Sequence, residues 1–215
     1  MNNTKNLLIN YDLFSTYEKE YFLRNKIIPI VEDDISLALL VCKESNLENV
    51  ESDFAKVLKY REINSDELMF QLSFLDIKIN LYTLAKNIIH QTKAEDISVK
   101  KFLNILINFS ILTRTSDIHI EQYDKMVLFR FRVDGKLRTF FSFSYDLLKV
   151  LSSYIKLISN IDITQTRLPQ DSRFSININS QTYDFRVSTM PTIETDAADI
   201  VEIDENNINK SIEEL

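Results

Sequence analysis

Hydrophobic and polar positions change period along the chain, and each change predicts an element. Lys26 to Val31 is a short β-rich run, and Glu32, Asp33 and Asp34 form a turn. The apolar run Ile35 to Cys42 then predicts a strand buried on both faces. Val50, Phe54, Val57 and Leu58 recur at helical spacing, which predicts a helix over Leu47 to Leu58, followed by a short strand over Lys59 to Ile63. Asn64 or Ser65 is placed to cap a helix over Asp66 to Leu75, with acidic residues in the first turn where the helix dipole favours them. Helical patterning continues to about residue 114, broken by the polar stretch Gln91 to Asp96, which predicts a domain boundary between residues 92 and 93.

Beyond that boundary Phe102, Leu103, Leu106 and Ile107 make the apolar stripe of a helix starting near Ser98, and strand alternation then takes over. In Ser116 to Glu121, Ile118 and Ile120 face one way while Asp117, His119 and Glu121 face the other. Two alternatives stand for that acid, imidazole and acid: a metal or proton-transfer site, or a polar strand face with a hydrogen-bonded histidine. Met126 to Val133 and Lys136 to Phe143 pattern as a hairpin. A two-residue turn at Asp134 and Gly135 would put Arg138 beside the phenylalanines. A three-residue loop with Gly135 left-handed puts Phe131 opposite Leu137 and Arg130 opposite Arg138, and is the register expected. Ser144 is placed to cap an amphipathic helix over Tyr145 to Ser159, with Leu148, Leu151, Ile155 and Ile158 as its stripe. A second hairpin, Arg173 to Ile178 and Gln181 to Thr189, turns at Asn179 and Ser180, which sets Phe174 opposite Phe185 and Arg173 opposite Arg186. Like charges in a cross-strand pair are destabilising, so an anion is expected between them. A carboxylate such as Asp171 or Asp184 is one candidate and an external phosphate the other. Arg167, in the loop stiffened by Pro169, could add a third contact. The elements sum to an α+β chain, a small α/β unit followed by an antiparallel sheet with packed helices.

Composition narrows the chemistry. One glycine, Gly135, stands among 215 residues, so these residues hold neither a G-x-x-x-x-G-K-[ST] loop nor a three-glycine dinucleotide fingerprint. The single cysteine, Cys42, excludes an internal disulfide and a thiolate-rich zinc site, and no metal ligand set is expected. Apolar runs fall far short of a membrane span and the start is not a signal peptide, so a soluble cytoplasmic protein is expected. Net charge is −7, but residues 110–190 carry +3 and hold seven of the nine arginines, whereas 191–215 carry −7. Arginine at fixed strand positions suits planar anions, phosphate above all. The acidic end is expected to be a disordered tail over 194–215.

Four stretches resemble successive motifs of the type II secretion and type IV pilus assembly ATPases: Thr115 to Glu121, Phe129 to Arg138, Arg167 to Phe174 and Asp184 to Ile193. That resemblance implies a PAS-like arginine-rich domain over 93–193, behind an amino-terminal unit over 1–92 that is more loosely similar to the family's own. It further implies nucleotide-phosphate contacts at Arg167, Arg173 and Arg186, with Arg132 and Arg138 as weaker candidates, and no catalytic residue here. ATP and magnesium are then expected only with a motor domain supplied elsewhere. The implied partners are ATPase subunits and an inner-membrane platform protein, which would make membrane association peripheral; no nucleic acid is expected. Ser172 stands where the family has glycine, and Glu194 to Asp199 replaces its continuation toward the P-loop, so a truncated or split member without hydrolysis of its own is expected. The alternative is a stand-alone regulatory module binding a phosphorylated small ligand or an acidic partner surface.

Overall fold

The computed structural model describes residues 9–48, 50–90, 96–165, 167–178, 181–191 and 199–205. The chain divides into two compact units, Met1–Tyr82 and Thr83–Leu215, and is α+β.

In the first unit, short helices α1 (Leu13–Thr16) and α2 (Lys19–Asn25) precede β1 (Ile28–Glu32) and β2 (Ser36–Val41), which pair antiparallel across the expected turn. Helix α3 (Val50–Asp53) leads to β3 (Val57–Glu62), which lies parallel to β2. The helix expected over Leu47 to Leu58 is therefore one turn long, and Val57 and Leu58 begin a strand. Their spacing fits both periods, and the β-branched and aromatic content of Val57 to Ile63 favours the strand. Phe22, Leu37, Leu39, Leu40, Leu68 and Leu81 are fully buried and form the core. Asn64 caps α4 (Ser65–Leu72), its side chain accepting from the Asp66 N–H. Helix α5 (Leu75–His90) follows.

Lys78 on α5 is fully buried, and its Nζ donates to the Phe70 and Gln71 carbonyls at the end of α4, at 3.0 and 2.8 Å. It thereby satisfies carbonyls that the last helical turn leaves unpaired. Burial pushes its pKa down from 10.5 to about 7, with the charge of Glu67 opposing. Between those values the unfolded chain binds a proton that the folded chain lacks, so stability rises with pH. The expected slope is up to about 1.4 kcal/mol per pH unit from pH 7 to 9. Amide exchange in β2 under mild denaturant measures it, and Lys78→Met should flatten the dependence.

In the second unit α6 (Asp96–Leu112) leads into β4 (Asp117–Tyr123), β5 (Met126–Val133), β6 (Lys136–Ser144), α7 (Asp146–Ile158), β7 (Gln170–Ile178), β8 (Gln181–Pro191) and β9 (Asp199–Glu205). The six strands form one antiparallel sheet in the order β6-β5-β4-β9-β8-β7. Helix α6 lays Phe102 and Phe109 on the apolar face of this sheet. Phe109 stacks on Phe140 with ring centroids 4.0 Å apart and meets Phe131 edge-on at 5.4 Å, while Phe102 meets Phe129 at 5.6 Å. Helix α7 buries Leu147, Leu148, Leu151 and Ile155. Tyr145, not Ser144, occupies its N-cap position, because β6 continues through Ser144.

The first hairpin departs from the expected register. Val133 pairs with Lys136 across a two-residue turn, with Asp134 at φ +49° and Gly135 at φ +74°, so Arg138 stands opposite Phe131. The phase is restored by a bulge, after which Phe129 pairs with Phe141. The extra residue, Phe140, is fully buried against Phe109 and Phe131. One bulge thus lets a tight turn and a continuous apolar face coexist, which alternation alone cannot signal. The second hairpin has the expected register: Phe174 faces Phe185, Ile176 faces Tyr183 and Arg173 faces Arg186, while Asn179 and Ser180 lie outside the described residues. Within the acidic stretch expected to be disordered, residues 199–205 form β9 between β4 and β8. The alternation of Val201 and Ile203 with Glu202 and Asp204 supplies the reason, since it sets an apolar register beside Ile118, Ile120 and Val187.

Candidate arginine face of the second unit

The face of the sheet opposite its phenylalanines is polar because arginines and acids alternate with apolar residues along the strands. Register assembles them into transverse rows. One row runs Arg173, Arg186, Asp204, Asp117, Arg132 across β7, β8, β9, β4 and β5. The row beside it runs Asp171, Ser188, Glu202, His119, Arg130.

Each site residue expected from the sequence has a definite place. Arg173 and Arg186 are direct cross-strand neighbours, and both are exposed. Asp171 lies 3.7 Å from Arg186 with both side chains more than half exposed, and Ser188 donates to the same carboxylate. Asp184 accepts instead from Ser175 at 2.6 Å. An exposed pair at 3.7 Å is weak, so Asp171 neutralises Arg186 only in part. Arg173 has no ion-pair partner among the described residues. Arg167 is exposed in the loop ahead of β7, its N–H bonded to the Gln165 side chain.

Arg132 is in the same row but three strands from Arg186, about 14 Å at ordinary strand spacing. Its Nε donates to Asp117 at 2.8 Å. Arg130 likewise donates to Glu121 at 3.0 Å. Arg138, in register with Phe131, falls on the opposite face from Arg132. The sheet therefore brings Arg173 and Arg186 together, leaves Arg132 engaged and removes Arg138 from the row.

The carboxylates of the β4 motif are committed to arginines of β5, and His119 Nδ1 lies 3.6 Å from Glu121. Among the described residues no group of three or more His, Cys, Asp and Glu side chains is arranged to hold a metal ion. His119 Nε2 is buried without a hydrogen-bond partner among them. The element missed from sequence is β9, whose positions 202 and 204 stand in register with His119 and Asp117 on one side and with Ser188 and Arg186 on the other.

A family model described as "Type II/IV secretion system protein" matches residues 92–215. The type II secretion system protein E of Klebsiella pneumoniae is 32% identical over 76% of this chain and 34% of that protein. The type II secretion system ATPase E of Vibrio cholerae is 41% identical over 46% of this chain and 20% of its own length. The type IV pilus assembly ATPase PilB of Myxococcus xanthus is 26% identical along 99% of this chain and 41% of its length. The chain thus spans well under half the length of the relatives it matches. The X-ray structure of the Legionella pneumophila ATPase DotB aligns over 54% of this chain at 17% identity and a TM-score of 0.36, too remote to bear on the fold.

Proposed function

Because the chain belongs to the type II/IV secretion system protein family, whose model covers residues 92–215, we propose that it is an assembly and phosphate-contacting part of a secretion or pilus motor. In this role the second unit presents Arg173 and Arg186, joined by Arg167 from the loop ahead of β7, to the phosphates of ATP. The P-loop that holds the nucleotide comes from residues outside these 215, on this polypeptide or another, since the one glycine here cannot build it. Magnesium arrives with the nucleotide. The first unit is the docking piece toward the platform at the membrane, and among the described residues no helix is long and apolar enough to cross one.

The observation that carries the proposal is the exposed pair of arginines at directly opposed strand positions. Such a pair repels itself until an anion with several oxygens bridges it, and two planar guanidinium groups fit adjacent phosphates. In a motor the same charges would stabilise those developing on the transferred phosphoryl group, the part such arginines play in phosphoryl transfer. Arg132, already committed to Asp117, serves the face by rigidity rather than by contact.

The test is calorimetry with ATP alongside a hydrolysis assay on the purified 215-residue chain. Expected are no hydrolysis and weak binding, about high micromolar or weaker, because P-loop amides supply most phosphate contacts. That binding should be lost in R173A/R186A. Hydrolysis by this chain, or binding indifferent to the double substitution, would overturn the proposal, and tight binding retained in the double variant would favour a separate regulatory ligand site.

A further inference from the structure

Strand β7 ends the sheet, and among the described residues it pairs with β8 alone, so one edge of its main chain has no strand partner there. Free edges are ordinarily guarded by charges, proline or a bulge. The far edge of the sheet follows that rule, since β6 carries Lys136 and Arg138 and is bulged against β5. From Phe174 to Ile178, by contrast, β7 has no charged residue, no proline and an unbroken register with β8. The side chains of Ser175 and Asn177 bond Asp184 and Thr182 of β8, so neither guards the outer edge. Beside this edge a cavity of about 390 Å³ opens between β7 and helices α6 and α7, lined by Leu103, Ile158, Phe174 and Ile176, with Lys100. Alternation places Phe174 and Ile176 on the sheet face opposite Arg173, which separates the cavity from the arginine site. Lys100 is the one charged group among the lining residues, and no carboxylate balances it there.

We propose that this edge and cavity together bind an extended segment of a partner protein by strand addition. The segment pairs with Phe174 to Ile178, sets two apolar side chains at alternate positions into the cavity, and places an acidic side chain on the same face toward Lys100. Main-chain hydrogen bonds supply affinity in this mode, and pockets for alternate side chains supply specificity. The cavity is of the size that ligand sites use, about 300–1,000 Å³, with room for two aliphatic side chains. A second copy of this chain would bring its own Lys100 and Arg173 to the same edge, and that repulsion favours an acidic partner over self-pairing. The inference goes beyond the proposed phosphate contact and does not depend on it.

The experiment is calorimetric titration of the full chain with a peptide blocked at both ends, Glu-Thr-Val-Thr-Val-Thr-Glu. As a strand it carries its glutamates and valines on one face and only threonine on the other, so an acid reaches Lys100 whichever way the segment runs. Binding is expected, and replacing both valines by serine should abolish it. Lys100→Glu should weaken it about three- to tenfold, by losing one attraction and adding a repulsion, and should favour the peptide with lysine in place of both glutamates. Circular dichroism and thermal melting confirm the fold of that variant. Successive N–H groups of a strand point to opposite edges, so N-methylation of the valines and N-methylation of the threonines block different edges of the peptide. One pattern should cost at least about tenfold, the worth of two or three hydrogen bonds, and the other less than about twofold. Equal effects of the two patterns, binding indifferent to the valines, or no binding of the parent peptide would overturn the proposal. So would a Lys100→Glu variant that holds the glutamate peptide as tightly as the unaltered chain. A stable dimer in sedimentation velocity, with the β7 amides protected from exchange, would assign the edge to a second copy and overturn it as well. None of these outcomes bears on Arg173 and Arg186, whose phosphate contact is tested separately by R173A/R186A.

Discussion

Phe131→Ala is expected to cost the second unit about 3–5 kcal/mol, the usual loss when a fully buried aromatic ring leaves a cavity. Phe131 has no exposed surface and packs edge-on against both Phe109, at 5.4 Å, and Phe140, at 4.9 Å. Phe109 and Phe140 already stack at 4.0 Å, so neither ring can move into the space without giving up its own contact. The loss is a large share of the total of about 5–15 kcal/mol that holds an ordinary domain together. Denaturant melts of the two chains measure it. A loss below about 1 kcal/mol would mean that the bulge at Phe140 relaxes to refill the core and that the three rings are not a fixed unit.

Arg173→Thr is expected to move stability and ligand binding in opposite directions. Removing one member of a like-charged cross-strand pair relieves repulsion, and threonine suits a strand, so the unliganded chain should gain about 0.2–1 kcal/mol. ATP affinity should fall at least about tenfold, since a charge-assisted contact contributes roughly 1.5–3 kcal/mol. Thermal melting with calorimetry on one variant reads both. Loss of stability together with unchanged binding would mark Arg173 as a structural surface residue, held by something other than a ligand.

The same contrast explains what could be read from the residues alone. Strict alternation in Arg173 to Ile178 and Gln181 to Thr189 fixes the register of the second hairpin, because a slip by one would bury arginines. The first hairpin resists such reading: Phe140 and Phe141 are both apolar, and only the bulge decides which of them keeps the phase. Val57 and Leu58 lie at helical spacing from Val50 and Phe54, yet parallel pairing with β2 takes them into a strand, a long-range contact that no local pattern reports. The acidity of residues 194–215 hides the short alternation of Val201 and Ile203, which gains its partners only from β4 and β8. The arginines were legible as a cluster, but which of them are available was not. Asp117 lies fifteen positions before Arg132 in the chain and is joined to it only across the sheet, at 2.8 Å.

That difference in availability gives the most direct measurement of the account. In an NMR titration of the chain with ATP, following the guanidinium Nε–H resonances, the signals of Arg173 and Arg186 are predicted to shift together and saturate at one concentration. Those of Arg130 and Arg132, committed to Glu121 and Asp117, should stay near their starting positions. Shifts confined to arginines outside the second hairpin, or none at concentrations where calorimetry detects binding, would contradict the assignment of the phosphate contact to the Arg173 and Arg186 pair.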